Sequence, residues 1–173
     1  MPDTHQMAIM VTLISSGVAL ITDLRSGKIP NLVTYPTALI GIGLSLINQL
    51  TGRTPDIGTC LIGLTGGLAL YGLLMLVGSL GGGDVKLMAA IGTLMGFPFI
   101  IQSSVMIVIF GAIIAILLLT VRRQFISSIN RLAGVVTGSI SVTSLANVHS
   151  DDSRTMPFAP AIFLGVLWTI LQR

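Results

Sequence analysis

Two aspartates stand out in this chain because each lies beside a strongly apolar segment. Asp84 follows three consecutive glycines at positions 81–83, and Asp23 closes the first apolar run. The chain has only six acidic residues, and all of them are aspartates. Hydrocarbon cannot solvate charge, so carboxylates at such positions are functional-site candidates. Two of them in one membrane protein predict an intramembrane aspartic protease.

The chemistry open to such a pair is general acid–base hydrolysis. Burial and like charge both oppose a second negative charge, so two neighbouring aspartates share one proton. The ionised member takes a proton from water, and the protonated member polarises or protonates the scissile amide. The glycines before Asp84 let a substrate strand lie close to the backbone. His5 and His149 lack partners at metal-ligand spacing, so neither a metal nor another cofactor is predicted.

The composition places these residues in lipid. Of the 173 residues, 53% are hydrophobic and 9% are charged, and the mean hydropathy is +0.96. A soluble domain carries about 25% charged residues. The isoelectric point is near 9.6, but the basic residues lie in loops between apolar runs, where they set topology. Nucleic acid is therefore not predicted as a partner.

The apolar runs predict an all-α polytopic membrane protein with six transmembrane helices in a single domain, residues 1–173. Each run reaches or approaches the ~20 residues that a span requires, and the fourth is the shortest. Between the fifth and sixth runs, Phe125, Ile126, Ile129, Leu132 and Val136 recur at helical spacing, which predicts an amphipathic helix on the cytoplasmic face. A polar loop follows over 137–154. The predicted spans are approximately 6–22, 32–50, 57–80, 85–97, 99–121 and 157–171.

The distribution of basic residues predicts the orientation. With six spans, seven of the nine lysines and arginines fall on one side of the membrane, and only Arg53 and Arg173 fall on the other. The positive-inside rule then puts both termini outside and the long loops in the cytoplasm. Asp23 and Asp84 come to the same depth, near the cytoplasmic interface. This placement uses lysine and arginine alone, so it supports the pairing independently.

Three motifs carry a resemblance to a known family. Gly81, Gly83, Asp84 and Lys86 read as GxGD-x-K, and residues 23–31 read as D-x-R-x-x-x-I-P-N. Residues 157–160 read as P-F-x-P before the last helix. Together, and in this order, they resemble the prepilin peptidases, also called type IV leader peptidases. The chain is most similar to the short branch that serves tight-adherence (Flp/Tad) pili.

The resemblance implies a membrane endopeptidase that cleaves the short basic leader from prepilins or pseudopilins at the cytoplasmic face of the bacterial inner membrane. Asp23 and Asp84 would form the catalytic dyad. No paired cysteines and no segment before the first helix are visible, so we expect no N-methyltransferase activity. The other motif residues fall into two groups. The residues expected to support the dyad are Gly81, Gly83, Lys86, Pro30 and Asn31. The residues expected to contact substrate are Arg25, Lys28, Pro157 and Phe158.

Several of these residues have simpler structural interpretations. Asp84 on its own could cap a helix, and Lys86 could extend to lipid headgroups. Arg25 and Lys28 are first of all topology determinants. Pro30 and Asn31 are predicted to end the loop and cap the second helix. Asp56 is predicted to cap the third helix, and Pro157 and Pro160 to shape the start of the sixth.

Two other functions fit part of the pattern. A presenilin-like protease cuts within a transmembrane helix, but it places its first aspartate after a tyrosine deep in a helix, whereas Thr22 precedes Asp23 here. A small transporter or channel could use Asp84 as a proton or cation site. That alternative predicts inverted repeats between the two halves, and none is visible.

Overall fold

The computed structural model describes residues 4–76, 80–121 and 158–172, and the side chains of residues 119–121 are not described. This part of the chain is helical throughout, apart from turns, as the sequence predicts. Its six helices are α1 (Thr4–Ser26), α2 (Asn31–Leu50), α3 (Ile57–Leu76), α4 (Gly82–Met95), α5 (Phe97–Val121) and α6 (Ala159–Leu171).

The short helix α4 forms the centre of the bundle. It packs most extensively against α3 and α2, and it also contacts α1 and α5. Every residue from Leu87 to Gly96 is buried. The helix has 14 residues, which at 1.5 Å per residue is about 21 Å long. The sixth helix, α6, packs against α5 and α1 on the other side of the bundle.

Glycines allow the close approach of α3 to α4. The two helices cross where Gly63 meets Gly92, and a Cβ atom on either glycine would collide with the backbone of the other. One turn along α3, a Cβ atom on Gly67 would lie 3.0 Å from the Cα atom of Ala89. Small residues at helix crossings are typical of association in lipid, where van der Waals packing replaces the hydrophobic effect.

The outer helices present apolar side chains outward. Four of them are long and apolar enough to cross a membrane: α1, α2, α3 and residues 97–118 of α5. Helix α2 shows the inverted pattern most clearly, because it buries Thr37, Ser45 and Asn48 while Leu39 and Leu50 are exposed. A soluble helix would have the opposite pattern, so the surroundings of α2 are lipid.

The helix bounds differ from the predicted spans at several ends. Helix α1 continues one turn past Asp23, and α4 begins at Gly82, so that Asp84 lies in its first turn. Helix α5 begins at Phe97 and contains Pro98 in its first turn, where a missing N–H costs nothing. Helices α4 and α6 are shorter than the ~20 residues of a full span, so six spans remain a prediction. The amphipathic helix and loop predicted over 125–154, and Pro157, lie outside the described residues.

Candidate active site

The structure brings Asp23 and Asp84 together. The end of α1 and the beginning of α4 lie at the same end of the bundle, and the two helices are in contact. Asp23 is 9% exposed and Asp84 is 8% exposed, and the two carboxyl groups interact electrostatically. Residues 61 positions apart in the chain thus form one buried acidic pair. Hydrolysis by a shared proton would use two buried carboxyl groups of this kind.

Asp23 is held from across the molecule. Helix α1 ends three residues later because Gly27 adopts a φ of 63°, and the Gly27 N–H donates to the Asp23 carbonyl oxygen at 2.8 Å. The Asp23 side chain then reaches α6, where its Oδ2 atom accepts a buried hydrogen bond of 3.1 Å from the Ala159 N–H. The first N–H groups of a helix have no partner within it and favour an anion. The N-terminus of α6 therefore fixes the Asp23 carboxyl group.

This contact gives the P-F-x-P element a role that the sequence did not reveal. Phe158 is the N-cap residue of α6 and is half-buried, and Pro160 is in the first turn of that helix. Proline is favoured there because its fixed φ suits the helix start. The prediction that Pro160 shapes the start of the last helix agrees with this position. Phe158 was expected to contact substrate, and here it precedes the residue whose N–H binds Asp23.

Asp84 is held by its own helix. Gly81 is the N-cap residue of α4, and Asp84 is the third residue after it. The Oδ2 atom of Asp84 accepts a hydrogen bond of 3.2 Å from the Gly81 N–H. This is the reciprocal half of a capping box. Asp84 therefore contributes to capping as well as to the acidic pair, so the two interpretations of this residue are compatible.

Gly83 joins the two motifs. The segment between α1 and α2 lies directly on this glycine: a Cβ atom at position 83 would be 2.9 Å from the Ile29 Cβ atom and 3.3 Å from the Ile29 carbonyl oxygen. Gly82 has more space, since the nearest atom to its Cβ position is the Met75 methyl group at 3.8 Å. The glycine before Asp84 is thus needed for the close approach of the segment that carries Asp23.

Lys86 and Asn31 form a second link between the motifs. The Lys86 Nζ atom donates a hydrogen bond of 3.0 Å to Asn31 Oδ1, and it lies 5.8 Å from the ring centroid of Tyr35. Pro30 and Asn31 were predicted to end the loop and cap α2, and the two residues do mark the start of this helix, although Asn31 provides no side-chain cap. The N-cap residue is Pro30, with no side-chain cap bond, and Asn31 is the first helical residue. Its side chain binds Lys86 on α4 instead.

The remaining predicted site residues lie around the pair rather than on it. Arg25, Lys28 and Pro30 are exposed at this end of the bundle. Within the part of the chain that the structure describes, the groups that donate hydrogen bonds to the two carboxyl groups are instead the N–H groups of Ala159 and Gly81. Their position is compatible with topology or with substrate contact.

At the opposite end of the bundle, Asp56 caps α3 as predicted. Its Oδ1 atom accepts hydrogen bonds from the Thr59 hydroxyl at 2.6 Å and from the Thr59 N–H at 3.0 Å. The hydroxyl bond and then the backbone bond hold the pKa of the Asp56 carboxyl group below its ordinary value. This aspartate is a local structural element, distant from the acidic pair.

Fold and site together define a helical membrane protein with a buried pair of carboxyl groups at one end of its bundle. A comparison with protein families identifies the group: the model of the type IV leader peptidase family matches residues 10–121. This match covers more than half of the chain and includes both aspartates. The chain belongs to the type IV leader peptidase family. Comparisons with curated proteins and with solved structures find no match.

Proposed function

We propose that this leader peptidase is an aspartic endopeptidase in which Asp23 and Asp84 activate the hydrolytic water. The observation that carries the proposal is the meeting of two buried carboxyl groups from separate motifs. Each accepts a backbone N–H, so each is oriented without a neutralising cation among its described donors. One shared proton between two such groups provides a base and an acid at the same site.

The reaction then proceeds by general acid–base catalysis without a covalent intermediate. The ionised carboxylate takes a proton from water as the water oxygen bonds to the scissile carbonyl carbon. The protonated carboxyl group donates its proton to the amide, and the C–N bond breaks with the electron pair leaving on nitrogen. The products are a carboxylic acid and an amine. The two aspartates have exchanged protonation states, and a proton transfer between them restores the resting pair.

The proposed substrates are tight-adherence (Flp/Tad) prepilins or pseudopilins, which carry a short basic leader before a hydrophobic helix. The proposed location is the bacterial inner membrane, with six spans, both termini outside and the acidic pair near the cytoplasmic face. Support comes from the segregation of basic residues and from the three motifs that resemble the prepilin peptidases.

The test is co-expression with a tight-adherence prepilin, with leader loss followed by gel shift and the new N-terminus by mass spectrometry. We expect cleavage by the wild-type protein and none by Asp23→Asn or Asp84→Asn, since both groups are needed for the proton transfers. Asp56→Asn is the matched control, because it neutralises an aspartate at the other end of the bundle. Cleavage by either dyad variant would contradict the proposal. An intact precursor in the presence of well-inserted wild-type protein would also contradict it and would favour the transporter alternative.

The shared proton also predicts a bell-shaped dependence of cleavage on pH. The acidic limb would report protonation of the base, and the alkaline limb would report loss of the shared proton. Initial cleavage rates of purified protein over a pH series would measure both limbs. A monotonic profile, with residual activity in Asp23→Asn, would argue against a pair of this kind.

A further inference from the structure

Lys86, Asn31 and Tyr35 form a polar cluster on the outer surface of the bundle. The Lys86 Nζ atom donates to Asn31 Oδ1 at 3.0 Å and lies 5.8 Å from the centroid of the Tyr35 ring. At that distance a cation is attracted to an aromatic face. All three side chains are exposed, although they come from two helices. Two contacts thus hold an ammonium group that otherwise moves freely on its flexible stem.

No carboxylate neutralises Lys86 within the part of the chain that the structure describes. Asp23 and Asp84 are buried, and backbone N–H groups hold them. Asp56 caps α3 at the other end of the bundle. The partners of Lys86 are instead a neutral amide and an aromatic ring. A cation held in this way on the surface attracts an anion from outside the chain.

The hydrogen-bonding groups of the cluster define the kind of anion. Lysine has donors and no acceptor, so the Asn31 atom that faces Lys86 is the amide oxygen. The Asn31 nitrogen keeps its two N–H groups, and the Lys86 ammonium group keeps two more. Their hydrogens have no other partner among the described residues. Several donors around one positive charge suit a phosphate group, which has several acceptor oxygens.

The cluster lies at the depth of lipid headgroups. Helix α2 has 20 residues, so it is about 30 Å long, which matches the hydrocarbon core of a bilayer. Asn31 is its first residue and therefore falls at the boundary with the headgroups. Tyr35 and Leu39 follow on the same face at intervals of four residues, and they are 55% and 69% exposed. The face that carries the cluster thus continues into lipid-facing surface.

The cluster faces away from the acidic pair. Lys86 follows Asp84 by two residues, so the two side chains leave α4 about 200° apart around its axis. Asp84 is buried in the bundle, whereas Lys86 is exposed beside α2. A group bound at the cluster therefore meets the lipid-facing surface of α2 rather than a peptide bond at the acidic pair. This placement favours a lipid over the substrate as the ligand.

We propose that Lys86, Asn31 and Tyr35 bind the phosphate group of an anionic phospholipid, in the leaflet at the end of the bundle that carries the acidic pair. Lys86 and Asn31 donate to the phosphate oxygens, and the Tyr35 ring holds the ammonium group from the side. Arg25 and Lys28 are exposed at the same end, and their charge favours a lipid with net negative charge over a zwitterionic one. This site is independent of the proposed hydrolysis.

The experiment titrates the full-length protein, purified in dodecyl maltoside, with phosphatidylglycerol and measures the bound lipid by native mass spectrometry. We expect the tightest-bound lipid to have several-fold higher affinity than phosphatidylcholine of the same chain length, because the choline group is positively charged. Lys86→Met keeps the apolar stem and removes the charge. It should weaken phosphatidylglycerol binding about fivefold, the effect of the ~1 kcal/mol that a basic residue contributes at an anionic surface.

Lys28→Met is the matched control, because it removes an exposed lysine charge from the same end of the bundle but outside the cluster. In 0.5 M NaCl, where charges more than about 4 Å apart are screened, it should change the affinity less than twofold. Asn31→Asp should weaken binding at least as much as Lys86→Met, since the new carboxylate neutralises Lys86 and repels phosphate. If Lys86→Met does not insert, Asn31→Asp decides in its place.

Three results would overturn the inference. Equal losses in Lys28→Met and Lys86→Met would show that the lipid responds to the overall charge and not to the cluster. Displacement of the lipid by soluble glycerol phosphate would show a site for free phosphate. Unchanged lipid affinity in Lys86→Met, with a raised KM for a tight-adherence prepilin, would assign the cluster to substrate. Lipid binding is measured without cleavage, so a wild-type protein that does not cleave would contradict only the proposed function.

Discussion

The two aspartates of the site are buried to the same extent but are held in different ways. Asp84 binds a donor three residues away in its own helix start, whereas Asp23 binds a donor 136 residues away in α6. The geometry at Asp84 is thus a local property of a glycine turn. The geometry at Asp23 depends on the docking of the last helix. The proposed catalytic pair combines one locally encoded member with one that exists only in the folded bundle.

The largest effect should come from undocking α6. Gly165 lies against Ile107 of α5, and a Cβ atom there would collide with its side chain and backbone. Gly165→Val should push α6 away from α5, because overpacking costs about 1–3 kcal/mol. Loss of the hydrogen bond from the Ala159 N–H to Asp23 should then reduce cleavage more than tenfold. Cleavage rate and thermal unfolding in detergent would measure it.

Gly17→Ala is the control for this change, because its Cβ atom would meet the Phe163 ring of α6 at an ordinary 3.7 Å. It should remain close to wild type. A Gly165→Val protein that is less stable yet cleaves at the wild-type rate would show that Asp23 does not depend on α6. The contrast between the two aspartates would then disappear.

The next largest effect is expected at the glycine turn before Asp84. Gly83→Ala should lower kcat about tenfold, because its Cβ atom displaces the Ile29 backbone and with it the segment after Asp23; small misplacements of reacting groups are costly. Gly82→Ala, one residue earlier, meets only the end of Met75 at 3.8 Å and should be nearly neutral. Kinetics of both variants on one prepilin would measure the difference. Equal activities would refute the role of the close approach.

A smaller effect should come from the link between α4 and α2. Lys86→Met removes the hydrogen bond to Asn31, and we expect a few-fold loss of activity that Lys86→Arg partly restores. A double-mutant cycle with Asn31→Ala should give a coupling free energy of about 0.5–1.5 kcal/mol. Additive losses in the cycle would indicate that Lys86 acts on substrate or lipid instead.

The smallest effect lies at Asp56, where no catalytic role is expected. Its folded-state pKa is lowered by Thr59, so its contribution to stability is complete above the unfolded value, ~3.9, and is lost as the pH falls through the folded value. The melting temperature of wild type should therefore drop more steeply below about pH 4 than that of Asp56→Asn. Thermal unfolding over a pH series would show it. Parallel curves would mean that the cap does not contribute.

Sequence reasoning reached the local features and missed the distant ones. Asp84 and its glycines, and the cap at Asp56, were predictable because each depends on residues within a few positions. The partner of the Asn31 side chain was missed, since asparagine at a helix start ordinarily caps it, while the side chain here binds Lys86 on another helix. The Ala159 donor could not be found from the sequence, because Ala159 acts through its backbone and lies 136 residues from Asp23.

The burial of α4 has a consequence for how the enzyme responds to its membrane. Protein surrounds this helix on several sides over its length of about 21 Å, so its depth is fixed by neighbouring helices. The outer helices, which expose leucine and isoleucine, meet the lipid directly and absorb hydrophobic mismatch by tilting. A change in bilayer thickness therefore tilts the outer helices before it moves Asp84. Asp84 is in this sense insulated from the thickness of the bilayer, whereas Asp23, on the outer helix α1, is not.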